Sequence, residues 1–383
     1  MVLQLQTYGQ GQVGADIDGE ASFDESGRSI SLSSDGSIVA IGAPFNDGNG
    51  SSSGHVRVYQ FNGTAWVQLG ADIDGEASID LAGQSVSLSS DGSIVAVGLM
   101  RNDGGGSSAG SVEVYKYNGT AWIQLGADID GEAAGDFSGR SVSLNSNGSI
   151  VAIGADRNTG NGSLAGHVRV YQLNGTNWVQ LGGYIDGASA GDQLGYSVSL
   201  SGDGFTVAAG GPFSDVNGSD SGIASVYKYN GVAWVQVGSS LPGEALSDQS
   251  GFSVSLSSDG SVVAVGASEN DGNGSNSGHV RVYEDNGTNW VQLGADIDGE
   301  ASSDRSGQSV DLNSDGSIIV IGARLNDGNG SSSGHARVYQ YNGTNWTQLG
   351  MDVDGETTFD QFGEVVSLSS DGTAIAVGSC KSL

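Results

Sequence analysis

One 56-residue unit recurs along the whole chain in unbroken register, and this repeat limits the fold more than any other feature. The turn at Asp35-Gly36 returns at that step, and so does the tryptophan at Trp66. Chains built from such units bury the apolar surface of each unit against its neighbours. The sequence therefore predicts one structural module per repeat. The later tryptophans are Trp122, Trp178, Trp234, Trp290 and Trp346, and the earliest equivalent position holds Gln10.

Each repeat contains four short apolar segments separated by turn residues, as in the copy from 83 to 125. Residues 85–89 alternate polar and apolar side chains, which is typical of a strand with one buried face. Residues 94–97 are continuously apolar and β-branched, which predicts a strand buried on both faces. Residues 112–115 and 122–125 give a third and a fourth strand, and the Asp-Gly and Asn-Gly pairs between strands predict type I′ hairpins. We therefore expect a four-stranded antiparallel meander per repeat.

Radial packing of such meanders predicts an all-β fold, a single seven-bladed β-propeller of four-stranded antiparallel blades that forms one domain over residues 1–383. The sequence starts at a third-strand position and stops after a second-strand position. We therefore expect a two-plus-two closing blade from both termini, residues 1–14 plus 361–383, with residues 2–6 in the same sheet as residues 374–378. An open array would need distinct capping units, and the sequence shows none.

The charge balance excludes several classes of partner. The chain carries 13 basic and 44 acidic residues, for a formal net charge of −31. A polyanion repels nucleic acid and anionic membrane surfaces and attracts cations. No apolar run approaches the ~20 residues of a membrane-spanning helix. Residues 1–5 are typical of a strand rather than of a secretion signal. The lone Cys380 excludes an internal disulfide. We therefore expect no nucleic-acid partner and no direct membrane insertion.

The acidic residues are concentrated in the longer connections. In a meander, the turns joining strands one to two and three to four share one face of the disc, here called the turn face. The loops joining strands two to three, and each blade to the next, share the opposite face, here called the loop face. Because these longer loops hold most of the carboxylates, the sequence predicts a strongly anionic loop face and a nearly neutral turn face.

The connection between blades places carboxylates at alternate positions, as at Asp72, Asp74 and Glu76, with Asp80 further on. Oxygen ligands with this spacing converge on a hard cation, so Ca²⁺ is the expected cofactor if these loops bind one. The glycine and the bidentate glutamate of an EF-hand are missing, so a solvated acidic loop with Asx turns is the alternative. The candidate metal ligands are Asp16, Asp18, Glu20, Asp24, Asp72, Asp74, Glu76, Asp80, Asp128, Asp130, Glu132, Asp136, Asp296, Asp298, Glu300, Asp304, Asp352, Asp354, Glu356 and Asp360.

The repeat resembles the FG-GAP repeat, the blade motif of the integrin α-subunit propeller and of many extracellular microbial and algal proteins. The resemblance rests on Phe362-Gly363 before strand one, on Gly42-Ala43-Pro44 after strand two, and on the Gly-His-Val-Arg-Val-Tyr segments of strand three. It spans the whole chain, and the tryptophan after each Asn-Gly-Thr turn is similar to a tryptophan-bearing subgroup. It implies adhesion or ligand recognition through the loop face, by analogy at the level of fold.

One departure from the family concerns its calcium loop. Integrin-type repeats carry Asp-x-Asp-x-Asp-Gly-x-x-Asp between strands one and two, whereas this connection is shortened here to Ser-Ser-Asp-Gly-Ser, with one carboxylate. We therefore expect no calcium at the family's usual place.

A partner that binds one position on the ring needs departures from the repeat, because identical blades cannot distinguish positions. Such departures occur at Met100 and Arg101 and around Phe213, with neutral drift as the alternative explanation. Long loops on a rigid scaffold are where binding residues usually lie. We therefore expect a protein or glycan ligand on the loop face. The candidate contacts are Asp47, Met100, Arg101, Asp103, Phe213, Asp271 and Asp327.

The function that this pattern favours is a non-enzymatic binding or adhesion module, outside the cell or on its surface. Catalysis needs different groups that converge on one point, and a near-perfect repeat supplies the same groups everywhere. The four histidines start four different third strands, so we expect them to be ordinary polar residues. Two alternatives stay open: a multivalent carbohydrate-binding lectin with the tryptophans as platforms, and a structural subunit of a surface fibre or assembly. Tryptophans wedged between blades would argue against the lectin.

Overall fold

The computed structural model describes residues 4–7 and 11–379. The predictions that concern residues 1–3, Gln10 and Cys380 lie outside these residues. Among the described residues, no helix is long and apolar enough to cross a membrane.

Six consecutive repeats each fold into a five-stranded antiparallel sheet, here called blades 1 to 6 in chain order. Strand one spans Ser29–Leu32, Ala82–Leu88, Ser141–Leu144, Ser197–Leu200, Ser250–Leu256 and Ser309–Leu312. Strand two spans Ile38–Ala43, Ile94–Leu99, Ile150–Ala155, Thr206–Gly211, Val262–Ala267 and Ile318–Ala323. Strand three spans His55–Phe61, Ser111–Tyr117, His167–Leu173, Ile223–Tyr229, His279–Asp285 and His335–Tyr341. Strand four spans Trp66–Gln68, Trp122–Gln124, Trp178–Gln180, Trp234–Gln236, Trp290–Gln292 and Trp346–Gln348. Strand five spans Ile73–Asp74, Ile129–Asp130, Ile185–Asp186, Leu241–Pro242, Ile297–Asp298 and Val353–Asp354.

Strand five is the part of the blade that the sequence pattern did not predict. In blade 1, Ile73 and Asp74 pair with Val56 and His55, at the start of strand three. Side chains alternate between the two faces of a strand, so Ile73 is buried in the core while Asp74 is exposed. Asp74, one of the alternately spaced acids of this connection, is therefore the outward-facing residue of a short edge strand.

The remaining sheet is formed by both ends of the chain and is here called the terminal sheet. It contains Gln4–Thr7, Gly11–Gln12, Val365–Leu368 and Ala374–Gly378, in the order second, first, fourth, third. Gln4 pairs with Val377 and Thr7 with Ala374.

The predicted propeller of seven equivalent four-stranded blades is therefore wrong. Among the described residues, the structure has six five-stranded blades and a terminal sheet of four strands. In blades 1 to 6, strand five pairs with the start of strand three, and the described part of the terminal sheet contains no such pair. Ile17, at the strand-five position of the terminal sheet, is buried but lies outside any strand.

The hairpin between strands one and two also differs from the prediction. The amide of Gly36 donates to the carbonyl of Ser33 (2.9 Å), and Gly36 has a φ of +69°, whereas Asp35 is not among the residues with positive φ. A type I′ turn needs positive φ at both central residues. The turn is instead a type I turn followed by a left-handed glycine. The Asp35 carboxylate accepts from the amide and hydroxyl of Ser37, which explains why Asp, Gly and Ser recur here.

Each interface between neighbouring sheets is an apolar core, and strand two contributes to the cores on both of its sides. In blade 1, Ile38 and Ala40 face blade 2, while Val39 and Ile41 face the terminal sheet. All six residues of this strand are buried, which confirms the prediction from its continuous apolar run. Burying one such side chain stabilises the fold by about 1.5–3 kcal/mol, so the interfaces between sheets hold the disc together.

Each tryptophan of strand four joins its blade to the preceding sheet. The indole N–H of Trp122 in blade 2 donates to the carbonyl of Leu69 in the connection from blade 1 (2.7 Å), and the ring packs against the core between the two blades. The other five indoles make the same bond, to Val13, Leu125, Leu181, Val237 and Leu293. The tryptophans are therefore wedged between blades.

The first strands surround a central channel that is closed by two rings of hydrogen bonds. At the turn-face end, the amide of Ser34 donates to the carbonyl of Ser90, and the same bond passes from sheet to sheet until Ser370 donates to Ser34 (2.9 Å). In a second ring, a hydroxyl on strand one accepts from an amide of the next sheet, as Ser31 does from Leu88 (2.9 Å). Asp311 replaces the serine at one position of this second ring and accepts from Leu368 (2.7 Å) and Ser255 (3.0 Å).

Candidate binding face

The loop face is formed by two loops per blade that bond to each other. In blade 1, the amide of Ile79 donates to the carbonyl of Ser51 (2.8 Å) and the amide of Gly75 to Gly54 (2.9 Å). The side-chain amide of Asn49 also donates to the Gly75 carbonyl (2.8 Å). The loop after strand two and the connection between blades thus form one layer on one side of the disc.

The carboxylates of a single connection serve different local purposes. Asp72 accepts from the side-chain amide of Gln68 (2.6 Å). Asp80 is buried and accepts from the amide of Ala77 (2.8 Å), and the equivalent Asp24 also accepts from the side chain of Asn46 (2.8 Å). Burial raises the pKa of Asp74 and of Asp80. Within the described residues, three acids of the same connection do not come together as one group of ligand atoms.

The groups that do come together combine two successive connections with the start of strand three. In blades 1, 2, 5 and 6, a Glu from the connection before the blade and an Asp from the connection after it lie beside two residues at the start of strand three. We call this set of four positions the socket of the blade. In blade order, the sockets are Glu20, His55, Arg57 and Asp72; Glu76, Ser111, Glu113 and Asp128; Glu132, His167, Arg169 and Tyr184; Ala188, Ile223, Ser225 and Ser240; Glu244, His279, Arg281 and Asp296; and Glu300, His335, Arg337 and Asp352.

In blades 1, 5 and 6, the socket contains a histidine and an arginine between two carboxylates. In blade 6, Nδ1 of His335 lies 3.9 Å from both Glu300 and Asp352. Arg337 lies 3.5 Å from Glu300 and donates to the Asp298 carbonyl (2.9 Å). The ligand atoms of the Glu, His and Asp all lie within 4.8 Å of one another in each of these three sockets, a spacing that could hold a metal ion. Arg337 already offsets part of the carboxylate charge.

The histidines of these sockets are held neutral. His335 is only 1% exposed, and neither ring nitrogen has a hydrogen-bond partner. Burial is the main cause that lowers the pKa of His335 to about 4, and Arg337 lowers it further, while Asp352 opposes the change. Burial also lowers the pKa of His55 and of His279. An unprotonated imidazole retains a lone pair, so these side chains could ligate a metal.

The blade 3 socket replaces the final Asp by Tyr184. The ring of Tyr184 stacks on the imidazole of His167, with centroids 5.6 Å apart and an angle of 11° between the planes. Arg169 donates to the Asp130 carbonyl (2.8 Å) and lies 3.9 Å from Glu132. The tyrosine thus covers the histidine and takes the place of one oxygen ligand.

The blade 2 socket reverses the charge of its central residue. Glu113 stands where blades 1, 3, 5 and 6 have an arginine, and its carboxylate comes together with those of Glu76 and Asp128 within 4.8 Å. Glu113 is 2% exposed. Burial raises the pKa of Glu113 to about 7, against the hydrogen bond donated by Tyr115. This socket therefore concentrates three acids where the others balance theirs.

The blade 4 socket has only small or apolar side chains. The hydroxyls of Ser225 and Ser240 bond to each other (2.8 Å) beside Ile223 and Ala188. The space that Glu, His, Arg and Asp fill elsewhere becomes a cavity of about 280 Å³, bordered also by Asp186.

The tips of the connections differ in a second way. Phe23, Ile79 and Phe359 occupy equivalent positions on three successive connections, with φ of +72°, +73° and +63°. Bulky and β-branched residues rarely adopt this left-handed conformation. Two equivalent positions hold Gly135 and Gly191 instead. The three large side chains are 71%, 53% and 61% exposed, so no intramolecular packing explains their presence.

The predicted ligand contacts fall into two groups. Asp47, Asp103, Asp271 and Asp327 each accept from a loop amide five residues later, at 2.7–2.8 Å, and thereby shape the loop after strand two. Among the others, Met100 is 9% exposed and largely inaccessible, whereas Arg101 is exposed and faces the ring of Phe137 at 5.8 Å. Phe213 is half-buried and packs edge-on against Tyr196, with centroids 6.0 Å apart.

Sequence reasoning missed the sockets because their members are far apart in the chain. It considered histidines only in relation to one another and acids only within one connection, whereas a socket joins residues about 50 positions apart. One signal was present in the sequence: the third position of the His-Val-Arg segment is Arg in four repeats, Ser at 225 and Glu at 113. An acid in a position otherwise held by a cation indicates a site with a different occupant.

Comparison with known proteins agrees with the architecture. Residues 242–283 and 295–339 match the FG-GAP repeat family model. No curated protein matches the sequence. Among solved structures, hydrazine synthase of Kuenenia stuttgartiensis has a similar fold, with a TM-score of 0.61 and 14% identity over 96% of this chain and 95% of that chain. At this identity, the likeness shows the fold alone.

Proposed function

The chain is an FG-GAP repeat β-propeller, and on that premise we propose that it is a non-enzymatic ligand-binding or adhesion module of the cell surface or extracellular space. Its ligand binds the loop face, where Phe23, Ile79 and Phe359 contact it. Carboxylates around these tips attract a cationic partner or bind divalent cations, Ca²⁺ among them, that bridge to it.

The observation that carries this proposal is the strain at the three exposed tips. A non-glycine residue held in a sparsely populated backbone region costs on the order of 1–3 kcal/mol and tends to occur at functional sites. Gly135 and Gly191 adopt the same conformation without a side chain, so the scaffold itself does not require Phe or Ile. Exposed aromatic and aliphatic residues are typical anchors in protein recognition.

The partner's chemistry follows from the surroundings of the tips. The chain has a formal net charge of −31, and connections of the loop face place acids such as Asp16, Asp18 and Asp74 near these apolar residues in the sequence. An anionic surface with apolar projections favours a protein segment that combines basic with apolar side chains. We therefore favour a protein ligand over a glycan, also because the six indole N–H groups already bond to neighbouring sheets.

The test is a selection of binders from a displayed random-peptide library, followed by titration of one selected peptide. We expect basic residues combined with aromatic or aliphatic residues among the binders. The triple variant F23G/I79G/F359G should weaken the peptide at least tenfold, because it removes the anchors while adopting the residue found at positions 135 and 191. The matched control is V232T, which replaces an 80% exposed valine on the turn face by the threonine of the other repeats.

Equal affinity in the triple variant, or a loss confined to V232T, would place the ligand elsewhere. A glycan array on the same proteins addresses the lectin alternative, since strong sugar binding that survives the triple substitution would favour it. Light scattering addresses the assembly alternative, because a concentration-dependent polymer of the purified chain would indicate a structural subunit.

A further inference from the structure

We propose that the blade 2 socket binds one hard divalent cation, of the Ca²⁺ type, through Glu76, Glu113 and Asp128. This site deepens the proposed function by giving the loop face one defined cation, and it rests on that function only for the cation's use in recognition. It also differs in place from the family's calcium loop between strands one and two, where turns such as those at Asp35 and Asp91 have a single carboxylate that bonds to its own turn.

The three carboxylates reach one point from three separate elements. Glu76 belongs to the connection entering blade 2, Glu113 to strand three, and Asp128 to the connection leaving the blade. One oxygen from each lies within 4.8 Å of the others. Calcium–oxygen distances are about 2.3–2.6 Å, so oxygens on opposite sides of a calcium ion lie about 5 Å apart. The spacing therefore suits a cation between them.

Glu113 is the observation that separates this socket from an ordinary acidic patch. Its side chain is buried, one oxygen accepts from the hydroxyl of Tyr115, and the other, Oε1, has no hydrogen-bond partner. Burying an ionised carboxylate without a partner is costly, so such a group normally has a cation or a donor beside it. Oε1 is thus an unused ligand atom on a carboxylate that lies beside two further acids.

The other sockets show what normally provides that partner. Arg57 lies 3.4 Å from Glu20, and Arg281 forms a bidentate pair with Asp296 at 2.9 and 2.7 Å. Among the described residues, the ion pairs include no cationic side chain beside Glu76, Glu113 or Asp128. The blade 2 socket therefore carries the charge of three acids on a backbone that elsewhere carries an internal cation.

The donor chemistry selects the class of metal. All three donors are carboxylate oxygens, and Ser111 stands where blades 1, 3, 5 and 6 have a histidine. Oxygen-only sites suit Ca²⁺, Mg²⁺ and Mn²⁺, whereas imidazole and thiolate ligands favour zinc and copper. Glu76 and Asp128 are exposed and lie on connections rather than on long strands. Ca²⁺ accepts such irregular coordination and completes its shell with water, while Mg²⁺ requires near-ideal octahedral geometry.

The experiment is calorimetric titration of the purified full chain with CaCl2, at physiological ionic strength and without any partner. We expect one saturable site, with weaker binding of MgCl2. E113Q should weaken calcium binding at least tenfold, and E113R should abolish it, because it introduces the arginine of four other sockets. The matched control is E20Q, which changes the equivalent of Glu76 in the blade 1 socket, where an arginine is present. This variant should retain calcium binding at the blade 2 socket.

Melting curves without calcium establish that each variant is folded. Calcium should raise the melting temperature of the wild type and of E20Q only. The proposal is overturned if the wild type shows no saturable site, if E113Q and E113R bind like the wild type, or if E20Q loses binding equally, which would indicate diffuse screening. The two proposals can fail separately, because the calcium titration contains no peptide. If F23G/I79G/F359G binds calcium and also binds the selected peptide as tightly as the wild type does, the proposed function fails while the cation site stands.

Discussion

The sockets of blades 6 and 2 share one backbone arrangement and differ at two positions near the start of strand three, where His335 and Arg337 of blade 6 are replaced by Ser111 and Glu113 in blade 2. In blade 6, Arg337 is 5% exposed, lies beside Glu300, bonds the Asp298 carbonyl, and has its guanidinium 5.5 Å from the centre of the Tyr339 ring. In blade 2, Glu113 is equally buried but adds a third acid. The same site thus contains its own cation, the arginine, in blade 6, whereas in blade 2 we propose that it binds a cation from solution.

This difference teaches that a repeat fixes geometry while leaving charge free to vary. The strand pairings around positions 113 and 337 have the same register, as both face strand two in the same way. Two substitutions at buried positions therefore change the chemistry without moving the scaffold. In a ring of near-identical units, the specific sites are expected where a single copy departs from its equivalents.

Removal of the internal cation should produce the largest effect. R337A deprives the half-exposed Glu300 of its partner, leaves the Asp298 carbonyl without its donor and removes the packing of a buried side chain. Together we expect these changes to cost about 3 kcal/mol in unfolding free energy. E113Q, measured without divalent cations, should cause no loss because it removes an unpaired acid. Urea denaturation of both variants tests the contrast. A loss below about 1 kcal/mol for R337A would mean that the arginine is not needed to balance its socket.

The channel offers a second position where one copy departs from the rest. Burial raises the pKa of Asp311 to about 6, against about 3.9 in an unfolded chain. The folded state then binds a proton more tightly, so the protonated group stabilises the fold below about pH 4, and this contribution is lost as the pH rises through 6. Its size is on the order of 2 kcal/mol.

D311S introduces the serine of the six equivalent positions and should remove this pH dependence. We expect the variant to be more stable than the wild type at pH 7 and close to it at pH 4. Denaturation midpoints at both values measure the change. A wild-type stability that stays level across this range, or falls identically in D311S, would contradict the assignment to Asp311.

Conversion of the blade 2 socket to the common type should produce a smaller gain. E113R places a guanidinium between Glu76 and Asp128, and without divalent cations we expect a stabilisation of about 1 kcal/mol from the new ion pairs. Saturating calcium should reverse the order, because only the wild type is then stabilised by a bound ligand. Melting temperatures with and without calcium measure the crossover, and E113R that ranks the same way in both conditions would argue against it.

The loop tips should give the smallest change. I79G relieves a β-branched residue from a φ of +73°, and Gly135 shows that the next connection tolerates glycine. We expect a gain of about 0.5 kcal/mol, since the relief of strain is partly offset by the greater freedom of glycine in the unfolded chain. G135A, as the reverse change, should destabilise. If I79G destabilises instead, Ile79 has a packing role within the fold.

The sequence predicted the elements that depend on local pattern. Strand two, with its apolar run at 94–97, and strand four, which contains Trp122, are where the pattern placed them. The family resemblance is also confirmed. Strand five was missed because two residues are too few to show a period, and Ile73 reads as one apolar residue within an acidic loop. The prediction that all copies are equivalent was wrong because the terminal sheet is assembled from both ends of the chain and, within the described residues, lacks strand five.

The candidate site was less accessible from the sequence. Acids such as Asp72 and Glu76 were singled out as candidate ligands, but their neighbours in space come from strand three and from the neighbouring connection. Propensity and spacing describe neighbours in the chain, whereas a socket is defined by tertiary packing. Whether Asp16, Asp18 and their equivalents bind calcium stays a prediction.

The terminal sheet has a mechanical consequence. Each of the six blades is formed by one continuous segment of the chain, whereas the terminal sheet joins both ends through backbone pairs such as Gln4 with Val377. The hydrogen bond from the Ser370 amide to the Ser34 carbonyl reinforces this closure. Within the described residues this sheet has no fifth strand, and the sequence has Gln10 at the position of the interlocking tryptophan. Tension applied across the two ends would therefore load this seam before any blade, so the force needed to part a few antiparallel backbone pairs sets how firmly the whole disc resists being pulled open.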